Sequence, residues 1–326
     1  MKLSFCIPSL NRPDYLIETI KSICSNRNYR SEFEICVYNN FSDISYKSVV
    51  DEIKILSQIY NIKYYVGSSR LNIDQSMFEA IRPARGDYLF FIGDDDYLFE
   101  DGLQSILNLI DKMDFDMAIF NALVVNEINN TKAELIGFSE RMYTQLDVAL
   151  LELKQFCAYS NILIKSKYII DADFQYLIGT SHAYGCFWLA FFRNYEKDIN
   201  PIIIVPKSAV VNLRVVKKNY NLLEVIYKHV DFEHKLYYDV IGEKSKKILQ
   251  KFELRFWKKN SSIKQFLIFG VSNYDLRTIK YYNQSFYNKY RIKILVVRLA
   301  LKVIIPLKKP LRFILKMKKL KNEKIV

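Results

Sequence analysis

An α/β architecture built on a largely parallel sheet is predicted by three features of the sequence. Strand-like and helix-like segments alternate from residue 2 to about residue 125. The apolar run Leu89-Phe90-Phe91-Ile92 lacks polar alternation, as a strand buried on both faces does. That run empties through Gly93 directly into Asp94-Asp95-Asp96. Open α/β sheets bind ligands at the carboxyl ends of their strands. Three adjacent carboxylates placed there repel one another, and a divalent ion carrying a phosphate ligand relieves the repulsion. For an acidic triplet taken alone, a solvated turn capping the next helix is the competing reading.

The elements follow in order. Leu3 to Ile7 reads as a first strand, with too short an apolar run and no small-residue cleavage site for a secretory leader. Pro13 opens a helix whose apolar positions Leu16, Ile17, Ile20 and Ile23 recur at helical spacing. Glu34 to Tyr38 is the second strand, followed by a polar loop and a helix from about 47 to 59; Ile62 to Val66 is the third. A helix from about 73 to 84 leads into the acidic strand, and a helix over 102–110 precedes a strand over 116–120. Such alternation implies right-handed crossovers. Residues 126 to 215 are less regular, with a polar surface loop at 126–131, a strand over 156–164 and an aromatic helix over 185–195. Ile202 to Val205, bounded by Pro201 and Pro206, reads as an edge strand because proline cannot donate to a ladder. Residues 220 to about 283 read as helical throughout.

With 326 residues, half of them hydrophobic, the chain can bury a large core as two domains or as one domain with appended elements. Five cysteines without a C-x-x-C pair read as reduced core residues of a cytosolic protein. The formal charge is +13, yet thirteen Lys or Arg against Glu323 alone fall in residues 287–326, so the body before them is nearly neutral. That distribution argues against a nucleic-acid groove, which needs a patch of charge spread over a folded face. Within 294–305 the cations Arg298 and Lys302 interrupt a run of aliphatics too often for a spanning helix, which needs ~20 nearly uncharged residues. A basic amphipathic helix of this kind lies on an anionic membrane surface. Pro306 and Pro310 break it before a second basic segment, 311–321. A core-packed helix with solvated lysines, or a disordered basic end, is the alternative.

Four segments in order and spacing resemble the glycosyltransferase family 2 domain with the GT-A fold: Ile7-Pro8-Ser9-Leu10-Asn11-Arg12 with the helix after it, Glu34 to Ser42, Tyr64 to Ile81, and Ala84 to Asp96. The resemblance covers residues 1–125. It implies a GT-A nucleotide-diphospho-sugar transferase domain over 1–215, with a donor and metal half (1–125) and an acceptor half (126–215). A helical C-terminal extension (216–286) and the basic membrane-associating tail (287–326) follow. It assigns the metal mainly to Asp96, with Asp94, and the donor to Pro8, Ser9, Asn11, Arg12, Asn39, Asn40, Asp74, Asp94 and Asp95. Two departures stand out. Asn39-Asn40 replaces the usual acids of the donor-base loop, and because an amide both accepts and donates, the case for a uridine donor is weakened. Arg70-Leu71-Asn72 stands where the family often has Asn-Leu-Gly.

The chemistry can be stated independently. A nucleoside diphosphate leaves once a divalent ion, Mg²⁺ or Mn²⁺ for oxygen ligands, neutralises its charge. In a tight loop Asp94 and Asp96 are expected to face one pocket and Asp95 to point elsewhere. The acceptor hydroxyl needs a base. Inverting relatives place an acid in the stretch that resembles Gly179 to Trp188, where this chain has no acid and His182 is the group titrating near neutrality. His182 is therefore the candidate base or acceptor ligand, against a structural role in capping; Asp171 and Asp173 are further candidates. The same stretch is similar to O-antigen sugar transferases of the abequosyltransferase type. That implies a deoxysugar or related hexose donor and a lipid-linked saccharide acceptor in surface polysaccharide assembly. It places the enzyme on the cytoplasmic face of the membrane and leaves inversion or retention open. A polyprenyl-phosphate sugar synthase and a basic non-enzymatic nucleic-acid-binding protein are the alternatives in function.

Overall fold

The structure, a computed structural model, describes residues 1–25, 27–126, 131–135, 140–170, 177–181, 185–215, 222–271 and 275–302. It divides into two compact units, one of residues 1–219 with 232–249 and the other of 220–231 with 250–326.

The first unit is built on strands β1 (Leu3–Ser9), β2 (Phe33–Asn39), β3 (Asn61–Val66), β4 (Tyr88–Phe91), β5 (Tyr97–Leu98), β6 (Met117–Ile119), β7 (Asn121–Asn126), β8 (Thr131–Glu134), β9 (Arg141–Tyr143), β10 (Ile162–Lys165), β11 (Ile203–Val205) and β12 (Ala209–Val215). Helices α1 (Pro13–Ile23), α2 (Lys47–Leu56), α3 (Ile73–Ile81), α4 (Gly102–Lys112), α5 (Leu146–Leu153), α6 (Lys167–Ile170) and α7 (Cys186–Glu196) connect them. Eight strands form one sheet in the order β3-β2-β1-β4-β10-β6-β11-β9, and β5-β12-β7-β8 form a second. β3, β2, β1 and β4 run parallel, so the loops after β1, β2 and β4 gather at one edge. β10 is antiparallel to both neighbours. The core beneath is aromatic and fully buried: Phe5 packs on Phe33 and Phe90, and Phe90 on Phe120.

Two expectations change. Pro201 and Pro206 stand just outside β11, which pairs with β6 on one side and β9 on the other, so this strand is internal and not at an edge. The strand expected over 156–164 is confined to 162–165. The Asn161 side chain bonds the Phe120 and Phe156 carbonyls and the Ala158 N–H, which holds the preceding residues in turns. Of the polar loop expected at 126–131, residues 127–130 lie outside the described residues, while Asn126 ends β7 and Thr131 opens β8. The five cysteines are free thiols, four of them buried.

In the C-terminal part of the chain, helices α8 (Leu222–Glu224), α9 (Val230–Val240), α10 (Glu243–Asn260), α11 (Ile263–Val271), α12 (Ile279–Tyr282) and α13 (284–302) follow. The second unit has its own core. Tyr227 packs on Trp257, Phe269 and Phe286, and the inner stripe of α13, Phe286, Ile294, Val297 and Leu301, closes it. The boundary expected at 286/287 falls inside α13, because aliphatics on both faces of this helix let one stripe enter the core. Its other stripe, Ile292, Leu295, Val296 and Leu299, is 51–79% exposed. Among the described residues no helix is long and apolar enough to cross a membrane. Residues 303–326, with the second basic segment, lie outside the described residues.

Candidate active site

The acidic turn is where the parallel strands point. Asp96 N–H donates to the Gly93 carbonyl at 3.2 Å, closing the turn directly after β4. From the turn after β1, the Ser9 hydroxyl and the Leu10 N–H donate to Asp94 Oδ2 at 2.8 and 3.3 Å. The Arg12 guanidinium lies 3.2 Å from Asp94 Oδ1 and 2.6 Å from Asp95 Oδ2, one cation shared by two carboxylates. Asp96 is held differently: Arg214 N–H of β12 donates to Oδ1 at 2.8 Å, and the Ser160 hydroxyl donates to Oδ2 while accepting from Gly93 N–H at 2.7 Å. Below the turn, the Thr19 hydroxyl of α1 donates to the Asp96 carbonyl at 2.6 Å.

Asp94 therefore shares one cation with Asp95. Burial pushes the Asp94 carboxyl up to about 6 even though Arg12 opposes it. Burial and the neighbouring Asp95 charge push Asp96 up to about 7 against its hydrogen bonds from Ser160 and Arg214. Each Asp96 oxygen accepts one hydrogen bond and retains a second lone pair. A Cβ built on Gly93 would lie 3.0 Å from Asp96 Oδ2 and 3.1 Å from Asp95 Oδ1, so glycine keeps open a space that both carboxylates border. An all-oxygen donor set with lone pairs to spare fits Mg²⁺ or Mn²⁺. Among the described residues no three His, Cys, Asp or Glu side chains converge as a complete ligand set.

The other predicted residues form the loops around this turn. Pro8 lies in β1 opposite Tyr38 of β2. Asn11, with φ 58°, bonds the Ser42 hydroxyl through its N–H and both the N–H and the carboxylate of Asp43 through its amide. Asn39 accepts from Ser42 N–H at 3.1 Å and donates to the Tyr64 hydroxyl at 2.9 Å. Asn40 makes a two-way pair with the Leu71 backbone, 2.9 and 2.8 Å, which ties the loop after β2 to the one before α3. Asp74 of α3 accepts from Gly179 and Ser181 N–H. His182, Asp171 and Asp173 lie outside the described residues.

Four residues of this site were not foreseen. Tyr46 bonds both the Ser9 hydroxyl and Arg12 N–H. Ser160 and Arg214 hold Asp96, and the Arg214 guanidinium lies 4.9 Å from the Tyr15 ring and 4.8 Å from the Tyr97 ring while pairing with Glu18. The fourth is Thr19, whose hydroxyl supports the turn from α1. A lone arginine in the apolar run Ala209 to Val215 was the one available signal.

Parallel strands delivering a buried acidic turn beside the loops of β1 and β2 define a GT-A nucleotide-sugar-binding fold. Solved structures agree on the fold. S. aureus TarS 1–349 in complex with UDP aligns at TM-score 0.61 and 15% identity, covering 91% of this chain and 89% of that one. The mannosyltransferase PcManGT from Pyrobaculum calidifontis, in complex with GDP-Man and Mn²⁺, aligns at TM-score 0.57 and 13% identity over 93% and 86%. The glycosyl transferase family 2 profile matches residues 4–192, more than half of the chain, and the chain belongs to that family. Abequosyltransferase RfbV of Salmonella typhimurium is 33% identical over 113 residues, which is 34% of this chain and 33% of that protein. An uncharacterized glycosyltransferase, the MG060 homolog of Mycoplasma pneumoniae, is 24% identical over 122 residues, 37% of this chain and 40% of that protein. The matches thus span well under half the length of these two relatives.

Proposed function

We propose that the chain is a divalent-metal-dependent glycosyltransferase that moves a sugar from a nucleoside-diphosphate donor to a lipid-linked saccharide in surface polysaccharide assembly. The observation that carries this reading is Asp96, a buried carboxylate at the end of β4 whose direct hydrogen-bond partners are neutral groups and whose neighbour is another acid. Asp96, with Asp94, would hold Mg²⁺ or Mn²⁺, and the ion supplies Lewis-acid neutralisation of the departing diphosphate. Arg12 orients Asp94 and Asp95, and Ser160 with Arg214 N–H fixes the Asp96 carboxylate. Asn39 and Asn40 hold the base loop through their amides, and Asn39 keeps one N–H and one lone pair for either a cytosine or a uracil edge. Similarity to the abequosyltransferase supports a deoxyhexose donor, and the solved complexes with UDP and with GDP-Man and Mn²⁺ support a nucleotide sugar with a metal. His182, Asp171 and Asp173 remain the proposed candidates for the base that takes the acceptor proton.

The outer stripe of α13 supports a lipid-linked acceptor. Ile292, Leu295, Val296 and Leu299 are exposed, and Arg291, Lys293, Arg298 and Lys302 are interspersed among them, the pattern of a helix seated in an anionic membrane interface. On this reading the protein works as a peripheral protein of the inner face of the cytoplasmic membrane. The test is a panel of UDP-, CDP-, GDP- and dTDP-sugars with Mn²⁺ and with chelator. Metal-dependent release of a nucleoside diphosphate from at least one is the expected result. No release from any, together with salt-sensitive binding to arbitrary DNA, overturns the enzyme reading.

A further inference from the structure

We infer that Asp74 is a positioning residue that fixes the turn 179–181 of the acceptor half against α3, and is not a ligand of the donor. The inference rests on the proposed transfer reaction for the meaning of the acceptor half. Asp74 is 2% exposed at the second position of α3. The helix does not need it as a cap, because Asn72 and Gln75 already form a reciprocal capping box there. Its Oδ2 instead accepts two backbone donors more than a hundred residues away, Gly179 N–H at 2.8 Å and Ser181 N–H at 3.0 Å.

The turn is shaped to deliver both donors. Gly179 has φ +95° and Ser181 φ +58°, left-handed conformations that are costly for a serine without a compensating contact. Between them Thr180 is fully buried, its hydroxyl on the Leu177 carbonyl at 2.7 Å. Converging N–H groups with a carboxylate make charge-assisted bonds, stronger than neutral ones. Further along the chain, the Gly185 carbonyl accepts from the Tyr237 hydroxyl at 2.8 Å.

Full-length wild type, Asp74→Asn and Ser181→Gly are compared in three assays. One is nucleoside-diphosphate affinity in Mn²⁺, the second is donor hydrolysis without acceptor, and the third is transfer to the lipid-linked saccharide fraction extracted from the source cells. Asp74→Asn is expected to lower kcat/KM for the acceptor by about 10- to 100-fold, as loss of orienting contacts does, with donor affinity and hydrolysis near wild type. Ser181→Gly keeps the N–H and relieves the strained φ, so it keeps transfer. Amide exchange at 179 and 181 should rise in Asp74→Asn while α3 stays protected, which separates local release from unfolding. Parallel loss of donor affinity would make Asp74 a donor ligand and overturn the inference, as would unchanged transfer. Wild type inactive on every nucleotide sugar would instead refute the transferase reading, and unaltered exchange at 179 and 181 would then still refute the clamp.

Discussion

Two buried carboxylates sit at opposite ends of the parallel strands and differ in how they are completed. Glu34, at the start of β2, accepts from Lys63 Nζ at 2.6 Å, the Ser4 hydroxyl at 2.7 Å and Arg85 N–H at 2.5 Å. Burial pushes its carboxyl up, but Lys63, Ser4 and Arg85 together hold it below the usual range. Asp96, at the other end, has a hydroxyl and a backbone N–H for direct partners and another acid beside it, and it is pushed up to about 7. A structural acid comes with its own cation; on the proposed function Asp96 is left for an external one.

The comparison breaks if the two acids respond alike to removal. Asp96→Asn is expected to reduce donor turnover by about 10³-fold or more, because loss of the metal's main protein ligand removes Lewis-acid stabilisation worth several kcal/mol. Asp94→Ala should lose most activity and Asp95→Ala less. In chelator, thermal melts at pH 7 should show Asp96→Asn as stable as wild type or more so. A carboxyl raised to about 7 in the fold binds its proton more tightly there than when unfolded, so the native state loses stability as pH rises from the unfolded value towards 7, and the amide escapes this loss. Turnover near wild type in Asp96→Asn at saturating Mn²⁺ would remove the metal assignment.

Glu34→Gln should do the reverse: activity is kept, and stability falls by about 1–3 kcal/mol, the scale of a lost charge-assisted hydrogen bond to a buried partner. Because the folded carboxyl is held low, its contribution is fully present above the ordinary Glu value of about 4.3 and fades as pH falls through the folded value. Denaturant melts from pH 7 to pH 3 on both proteins check this, and a constant difference over that range would contradict it.

The same distinction between completed and uncompleted groups applies within α13. Substituting the outer stripe, Ile292, Leu295, Val296 and Leu299, with serine should lower partitioning onto anionic vesicles by about tenfold or more while leaving the fold intact, since each buried CH₂ is worth ~0.8 kcal/mol. Val297→Ser on the inner stripe should unfold the second unit. Vesicle flotation with a circular-dichroism melt separates the two, and retained flotation by the outer-stripe variant at moderate salt would sink the membrane proposal.

Much of the donor half was legible in the sequence, because β1, β2 and β4 are apolar runs that end in polar loops and the acids follow β4 without a gap. What held those acids was legible only on one side. Arg12 and Ser9 belong to the opening segment that carries the family resemblance, whereas Ser160 and Arg214 approach Asp96 from 64 and 118 residues away, a tertiary fact that no local pattern encodes. β11 was misplaced at an edge because the prolines that bound it were taken to limit its ladder, whereas they stand outside the paired residues Ile203 to Val205. The inner stripe of α13 could not be told from the outer one, since aliphatics occupy both.

The central claim, that the end of β4 waits for a divalent ion together with a diphosphate, is tested most directly by titrating Mn²⁺ into the full-length protein with and without UDP, CDP, GDP and dTDP, in wild type and Asp96→Asn. The account predicts weak Mn²⁺ binding alone, clear tightening with at least one nucleotide, and loss of that tightening in Asp96→Asn while the fold is retained. Equal nucleotide binding in chelator and in Mn²⁺, unaffected by Asp96→Asn, would contradict it.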